Sequence, residues 1–203
     1  AETGRRFDAP GRLAAPALLG GLLAWQPARP LEGGFAAQVL DVGQGLAVHV
    51  RTRTHDLLFD AGPPYGSEAD AGSRVILPYL RAAGTHAIDR LVLSHGDVDH
   101  IGGAASVIGG LAVGEVLAGQ PEALGARPRA SSGGDARWPA ATELRPCAGR
   151  AAWTWDGVRF EVLHPVAELP SGQGHDNDAS CVLRVLGASG ALLLTGDIGG
   201  EQQ

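Results

Sequence analysis

The segment 94–103 reads SHGDVDHIGG and brings His95, Asp97, Asp99 and His100 into six consecutive residues, between an apolar run and two glycines. Imidazole and carboxylate donors at that density are metal-ligand chemistry. They suit Zn²⁺, Mn²⁺ or Fe, and the share of aspartates tilts the set toward harder ions such as Mn²⁺. If the loop leaves a strand whose side chains alternate, His95, Asp97 and Asp99 share one direction and His100 opens the helix that follows. The bland alternative is a solvated acidic loop with His100 as an ordinary helix N-terminal residue. Four donors directly after a buried strand weigh against it.

Two further carboxylates close short apolar runs in the same manner: Asp60 after Leu57-Leu58-Phe59, and Asp197 after Leu193-Leu194-Thr195-Gly196. A carboxylate at a strand end can bridge two cations or orient a ligand histidine from behind. Either one alone reads as a turn-capping aspartate; together with the loop they form a constellation. Asp41, in LDVGQG, reads better as the holder of a glycine turn. The cluster His175-Asp176-Asn177-Asp178 reads equally as a source of one more donor or as a plain turn. His164 is open between structural and functional roles, and no role is assigned to His49 or His55.

The elements that must position these groups are short. Strands are expected at 35–40, 46–50, 57–59 and 91–93, the first three as an antiparallel series, and helices at 73–83 and 101–108. Pro78 limits the regularity of the first helix. The pattern fades over 119–150, where Arg127, Arg129, Arg137, Arg145 and Arg150 are scattered through Pro, Ala, Ser and Gly. This is expected to be a long surface excursion, either solvated or a phosphate-contacting flap. Strands resume at 152–155, 158–163, 180–186 and 191–195, with Asp156-Gly157 as a hairpin turn. Two strand groups around a central strand-loop-helix unit imply an α+β protein, an αββα sandwich whose loops converge at one end.

With 203 residues the chain holds one domain, and 44% hydrophobic against 19% charged residues excludes global disorder. A net charge of −6 argues against coating nucleic acid by bulk electrostatics, although bound cations could still hold phosphates locally. The two cysteines, Cys147 and Cys181, could pair or remain buried thiols. No run of about 20 apolar residues is present to span a bilayer. Residues 1–33 are expected to be an expression remnant followed by the stub of a preceding membrane segment or linker, and 34–203 the domain itself.

At this point the residues resemble a known family. SHGDVDHIGG is similar to the H-x-[HD]-x-D-H loop of the metallo-β-lactamase superfamily, and LLFDAG and LLTGD resemble its first and fourth motifs. LDVGQG, an aspartate at 97 where most members carry a second histidine, the stretch from Cys147 and Gly149 through Trp153, Trp155, Asp156, Gly157 and Val158, and Asn177-Asp178 before Ser180-Cys181 together resemble the C-terminal domain of the ComEC family of DNA-internalisation competence proteins.

The resemblance implies two divalent metal ions, Mn or Zn. His95 and Asp97 would serve one ion and Asp99 and His100 the other, with Asp197 bridging and Asp60 behind the loop. With two cations so held, Asp99 would also orient or deprotonate the attacking water, as the catalytic residue. The third-motif histidine has no clear counterpart, with His175 or Asn177 as candidates. The last histidine motif, expected beyond the TGD strand, is not reached before Gln203, so the sandwich is expected to be C-terminally truncated and one metal shell incomplete.

The resemblance further implies a metal-dependent nuclease that degrades the non-transported strand during natural transformation. Single-stranded DNA would be its substrate and a membrane channel in the same polypeptide its partner. The whole would be an inner-membrane protein with this domain on the periplasmic side, where a Cys147–Cys181 disulfide is favoured. The competing readings are a metallo-hydrolase of a small ester or lactam, and a non-catalytic domain that binds DNA or the channel.

Overall fold

The computed structural model describes residues 27–121, 143–147, 151–166 and 176–199. The first sheet is built from β1 (Ala36–Val39), β2 (Val48–Arg51), β3 (Asp56–Phe59), β4 (Ala87–Leu93), β5 (Ala112–Ala118) and β6 (Glu143–Pro146), in that spatial order. Strands β1 to β3 pair antiparallel, and β3 to β6 pair parallel. The second sheet is antiparallel, in the order β10-β9-β8-β7, from β7 (Ala152–Trp155), β8 (Val158–His164), β9 (Val182–Gly187) and β10 (Gly190–Leu194).

Alternation along the central strands explains the layering. In β3 and β4, Leu57, Phe59 and Val92 enter one core together with Phe160, Val162, Leu183 and Val185 of the second sheet. Leu58, Leu91 and Leu93 point the other way, into a core shared with Ile76, Leu80, Val107 and Ile108. Strands that are apolar on both faces need both faces covered, so the first sheet lies between helices and the second sheet. The covering helices are a π-helical turn (Gly72–Ile76) continuing into α1 (Leu77–Ala82), then α2 (Val98–Ile101) and α3 (Ala104–Gly110). The architecture is the expected α+β sandwich.

Several elements depart from the sequence-based expectation. The helix expected over 73–83 changes from π to α at Ile76, and Pro78 sits in the first turn of α1, where a missing N–H costs nothing. The helix expected over 101–108 is two helices broken at Gly102-Gly103, and its first part starts earlier, at Val98. Strand β4 extends back to Ala87. Strands β5 and β6 were not foreseen, and β6 lies inside the stretch 119–150 read as an excursion.

The Asp156-Gly157 hairpin is present, with φ of 48° and 77°, the pair of positive values a type I′ turn requires. It also locks the two sheets together. The Asp156 carboxylate accepts from Thr52 Oγ1 at 2.6 Å, Thr54 N at 2.7 Å and His55 Nδ1 at 3.1 Å, all in the β2–β3 turn. Against the opposing effect of burial, these donors hold its pKa far below the ordinary carboxylate value. Arg90 of β4 adds a second tie, its guanidinium 3.9 Å from the Trp153 ring centre.

Candidate metal centre

Because β3 and β4 run parallel, their C-terminal ends emerge at the same edge of the sheet. Asp60 follows one and Ser94-His95 follow the other, which is where open α/β sheets gather their functional loops. Asp60 is fully buried and adopts φ +58°, a conformation that aspartate tolerates better than most residues. Its Oδ1 accepts Ser94 N–H at 2.7 Å, and its Oδ2 accepts the Ser94 hydroxyl at 2.8 Å and His100 Nδ1–H at 2.8 Å.

Those bonds order both imidazoles. Having given its proton to Asp60, the Ser94 oxygen is left to accept from His95 Nδ1, 2.9 Å away. In the neutral rings the Nε2 lone pairs of His95 and His100 are then the free ones. The rings lie 4.2 Å apart. His95 Nε2 is buried without a hydrogen-bond partner, the nearest carboxylate oxygen being Asp97 Oδ2 at 3.4 Å. His100 Nε2 lies 3.4 Å from Asp197 Oδ1, and ligand atoms of His95, His100 and Asp197 all fall within 4.8 Å of one another. Burial alone would push the His100 pKa down; hydrogen bonding and charge from Asp60, with Asp197 and Asp99 adding to the field, outweigh it and hold it above the ordinary value.

This donor set fits a divalent cation. A buried, orphaned imidazole nitrogen costs free energy unless something accepts its lone pair, and nitrogen beside carboxylate oxygen is what Zn²⁺ or Mn²⁺ accepts. The hydrogen bonds behind both rings supply the orientation that metal-bound histidines require.

The remaining candidates are placed less tightly. Asp97 is half-buried with extended backbone in the position before α2, and Asp99 is half-buried in its first turn, so the strand alternation expected to align His95, Asp97 and Asp99 ends before Asp99. His100 is the third residue of α2, not its first. The Asp99 carboxylate lies outside the tight trio, while its carbonyl accepts Leu46 N–H at 3.4 Å. The LDVGQG loop packs there: a Cβ on Gly45 would meet Asp99 O at 2.1 Å, and Gly45 has φ +119°. Asp41 Oδ1 accepts Gly43 N–H at 3.3 Å, as a turn holder does. Asn177 is half-buried in a 3₁₀ turn before β9, and His175 lies outside the described residues. Of the scattered arginines, Arg145 pairs with Glu115 at 3.4 Å, and the others lie outside the described residues. His49 is buried against Asp56 at 2.9 Å, and His164 Nδ1 lies 3.0 Å from Ser180 O.

Ser94 is the residue that sequence reasoning missed. It stood in the quoted motif, immediately before the first histidine, but serine carries no metal signal of its own. Cys147, just past β6, and Cys181, just before β9, are joined by a disulfide with Cα atoms 5.8 Å apart.

A family model described as the metallo-beta-lactamase superfamily matches residues 40–202, and the chain belongs to that superfamily. Its members are in general metal-dependent hydrolases, and the family implies a divalent metal. Among the relatives it resembles within that superfamily are competence proteins. It is 40% identical over 181 residues to Competence protein ComA of Neisseria gonorrhoeae, covering 89% of this chain and 22% of that protein. Over 165 residues it is 32% identical to Recombination protein 2 of Haemophilus influenzae, covering 80% of this chain and 18% of that one. ComE operon protein 3 of Bacillus subtilis is 28% identical over 199 residues, with 90% of this chain and 24% of that protein covered. These are members of the ComEC family, and the chain spans about a fifth of their length. Among solved structures, a Cronobacter sakazakii metallo-beta-lactamase with a HARLDQ motif superposes with TM-score 0.53 at 22% identity, covering 87% of this chain and 62% of that one. That likeness concerns the fold. No helix among the described residues is long and apolar enough to cross a membrane.

Proposed function

We propose that this chain is the metal-dependent nuclease domain of a DNA-uptake protein, hydrolysing phosphodiester bonds in the strand that is not transported. The observation that carries the metal reading is the pair of buried imidazoles with free Nε2 atoms beside Asp197. His95 and Asp97 would hold one cation and Asp99 and His100 the other, with Asp197 between them and Asn177 or His175 as a further donor. When bound, such a pair supplies Lewis-acid charge to a phosphate and brings the pKa of water toward neutrality.

The rest is the protein's own contribution. Asp60 and Ser94 fix the two imidazoles, and Asp99, half-exposed on the first turn of α2, is the carboxylate suited to take a proton from the attacking water. Asp97 and Asp197 are exposed enough to reach a substrate, with side-chain exposures of 43% and 51%. A polyanion meets such an acidic rim favourably only when cations offset it, which makes the metals part of DNA recognition as well as chemistry.

The DNA substrate is supported by similarity to proteins named for competence and recombination. On that reading the domain belongs to a larger inner-membrane protein, sits on its periplasmic side and works beside a channel in the same polypeptide. The test is incubation with single-stranded DNA and Mn²⁺, with and without EDTA. Metal-dependent cleavage that disappears in an Asp97→Ala, Asp99→Ala double variant is expected. Metal binding without any cleavage, also in a chain extended at its C-terminus, would favour a binding domain instead.

A further inference from the structure

We propose that the Cys147–Cys181 disulfide positions the ligand loop, so that metal binding by this domain depends on the oxidation state of these two cysteines. The proposal rests on the metal-centre reading above. Cys147 lies just past β6 at the edge of the first sheet, its N–H bonded to Ala118 O at 2.8 Å; Cys181 lies just before β9 of the second sheet. The bond therefore ties the two sheets together at the edge where the ligand loop leaves β4.

The coupling to the loop is direct. Cys181 N–H donates to Ser94 O at 2.7 Å, and Ser94 in turn bridges Asp60 and His95 through its hydroxyl. The space around this contact is closed: a Cβ on Gly119 would stand 2.1 Å from Ser94 O and 2.2 Å from Ala179 O. Both cysteines are buried, at 1% and 0% exposure, so their side chains pack where they hold the backbone rather than where they meet solvent. The bridged segment also contains Asn177, the candidate further ligand. Opening the bridge frees the residues before β9 to move away from Ser94, and the His95 ring loses the fixed hydroxyl behind it.

The chemistry balances with an external dithiol. Two electrons and two protons pass to the protein, the S–S bond breaks, the Cys147 and Cys181 thiols form, and the reductant closes to its own disulfide. In an oxidising compartment the bridge would persist and the site would be ready for metal; where thiols are kept reduced, the same chain would bind metal poorly.

The experiment compares the oxidised chain with a Cys147→Ser, Cys181→Ser variant, which removes the bridge without adding thiolate ligands. Bound Mn²⁺ is read by electron paramagnetic resonance, folding by circular dichroism, and the tautomer of His95 by ¹⁵N chemical shift. The expected result is a folded variant whose Mn²⁺ affinity is at least about tenfold weaker, in the range of losses seen when supporting contacts behind metal ligands are removed, with a mixed His95 tautomer. Equal affinity in the two proteins overturns the proposal. So does global unfolding of the variant, which would make the bridge a staple of the fold and not of the loop. An oxidised chain that binds no Mn²⁺ or Zn²⁺ instead overturns the metal-centre reading itself.

Discussion

At Ser94 one hydroxyl decides which nitrogen of His95 is available. It donates to Asp60 at 2.8 Å and accepts from His95 Nδ1 at 2.9 Å, so Nε2 is left to face the site. Replacing Ser94 with alanine removes that relay while leaving every proposed ligand in place. The expected outcome is a loss of metal affinity of about 10- to 100-fold, with no change in metal stoichiometry and a His95 ¹⁵N spectrum that shows both tautomers; isothermal titration and NMR measure the two. An unchanged affinity would mean that His95 is oriented by packing alone. The metal candidates were legible because their chemistry is dense along the sequence. Ser94 was not, because its role depends on Asp60, which lies 34 positions away in the chain, and nothing local reports that encounter.

At the scale of elements, strand β3 carries a buried aspartate at its start as well as one just past its end. Asp56 accepts from His49 Nε2 at 2.9 Å and Thr85 Oγ1 at 3.0 Å, and pairs with Arg29 of the lead-in segment. Burial would raise its pKa, but the hydrogen bonds and charges of His49 and Arg29 outweigh that and hold it below the ordinary carboxylate value. A carboxylate with a lowered folded pKa contributes stability that is fully present above the unfolded value and is lost as the pH falls through the folded one. Urea unfolding at pH 7 should therefore show Asp56→Asn less stable than the parent by about 1–3 kcal/mol, and the gap should shrink below pH 3.8. A gap that persists undiminished in strong acid would assign the effect to shape instead of charge.

The elements themselves were partly readable. Apolar runs such as LLF and LVL, and the Asp156-Gly157 turn, announce strands and a hairpin by local pattern. Strands β5 and β6 escaped because Gly114 and Glu115 dilute one, while Glu143, Arg145 and Pro146 make the other look like loop. β5 is a strand because β4 offers it a parallel edge, and β6 because β5 does, edges that only the folded sheet creates.

For the molecule as a whole, one sheet packed between helices and a second sheet brings the ends of β3 and β4 to a common edge, and a buried polar cluster sits there. Asp60, Ser94, His95 and His100 are all at most 2% exposed. A protein has little reason to bury that many hydrogen-bonding groups at a strand-end loop unless something is to be held there. The class of architecture followed from alternation and from the resemblance to the metallo-β-lactamase superfamily. The meeting of Asp197 with His100 was legible through that resemblance alone, since it brings a turn of the second sheet against a helix of the first. The central question is whether this edge holds metal. The direct measurement is the metal content of the purified chain after loading with Zn²⁺ or Mn²⁺ and gel filtration, beside a His95→Ala, His100→Ala double variant checked for folding. Retention of divalent metal by the parent and its loss in the folded variant is the result expected; no retained metal in the parent, or equal retention in both, would contradict the account.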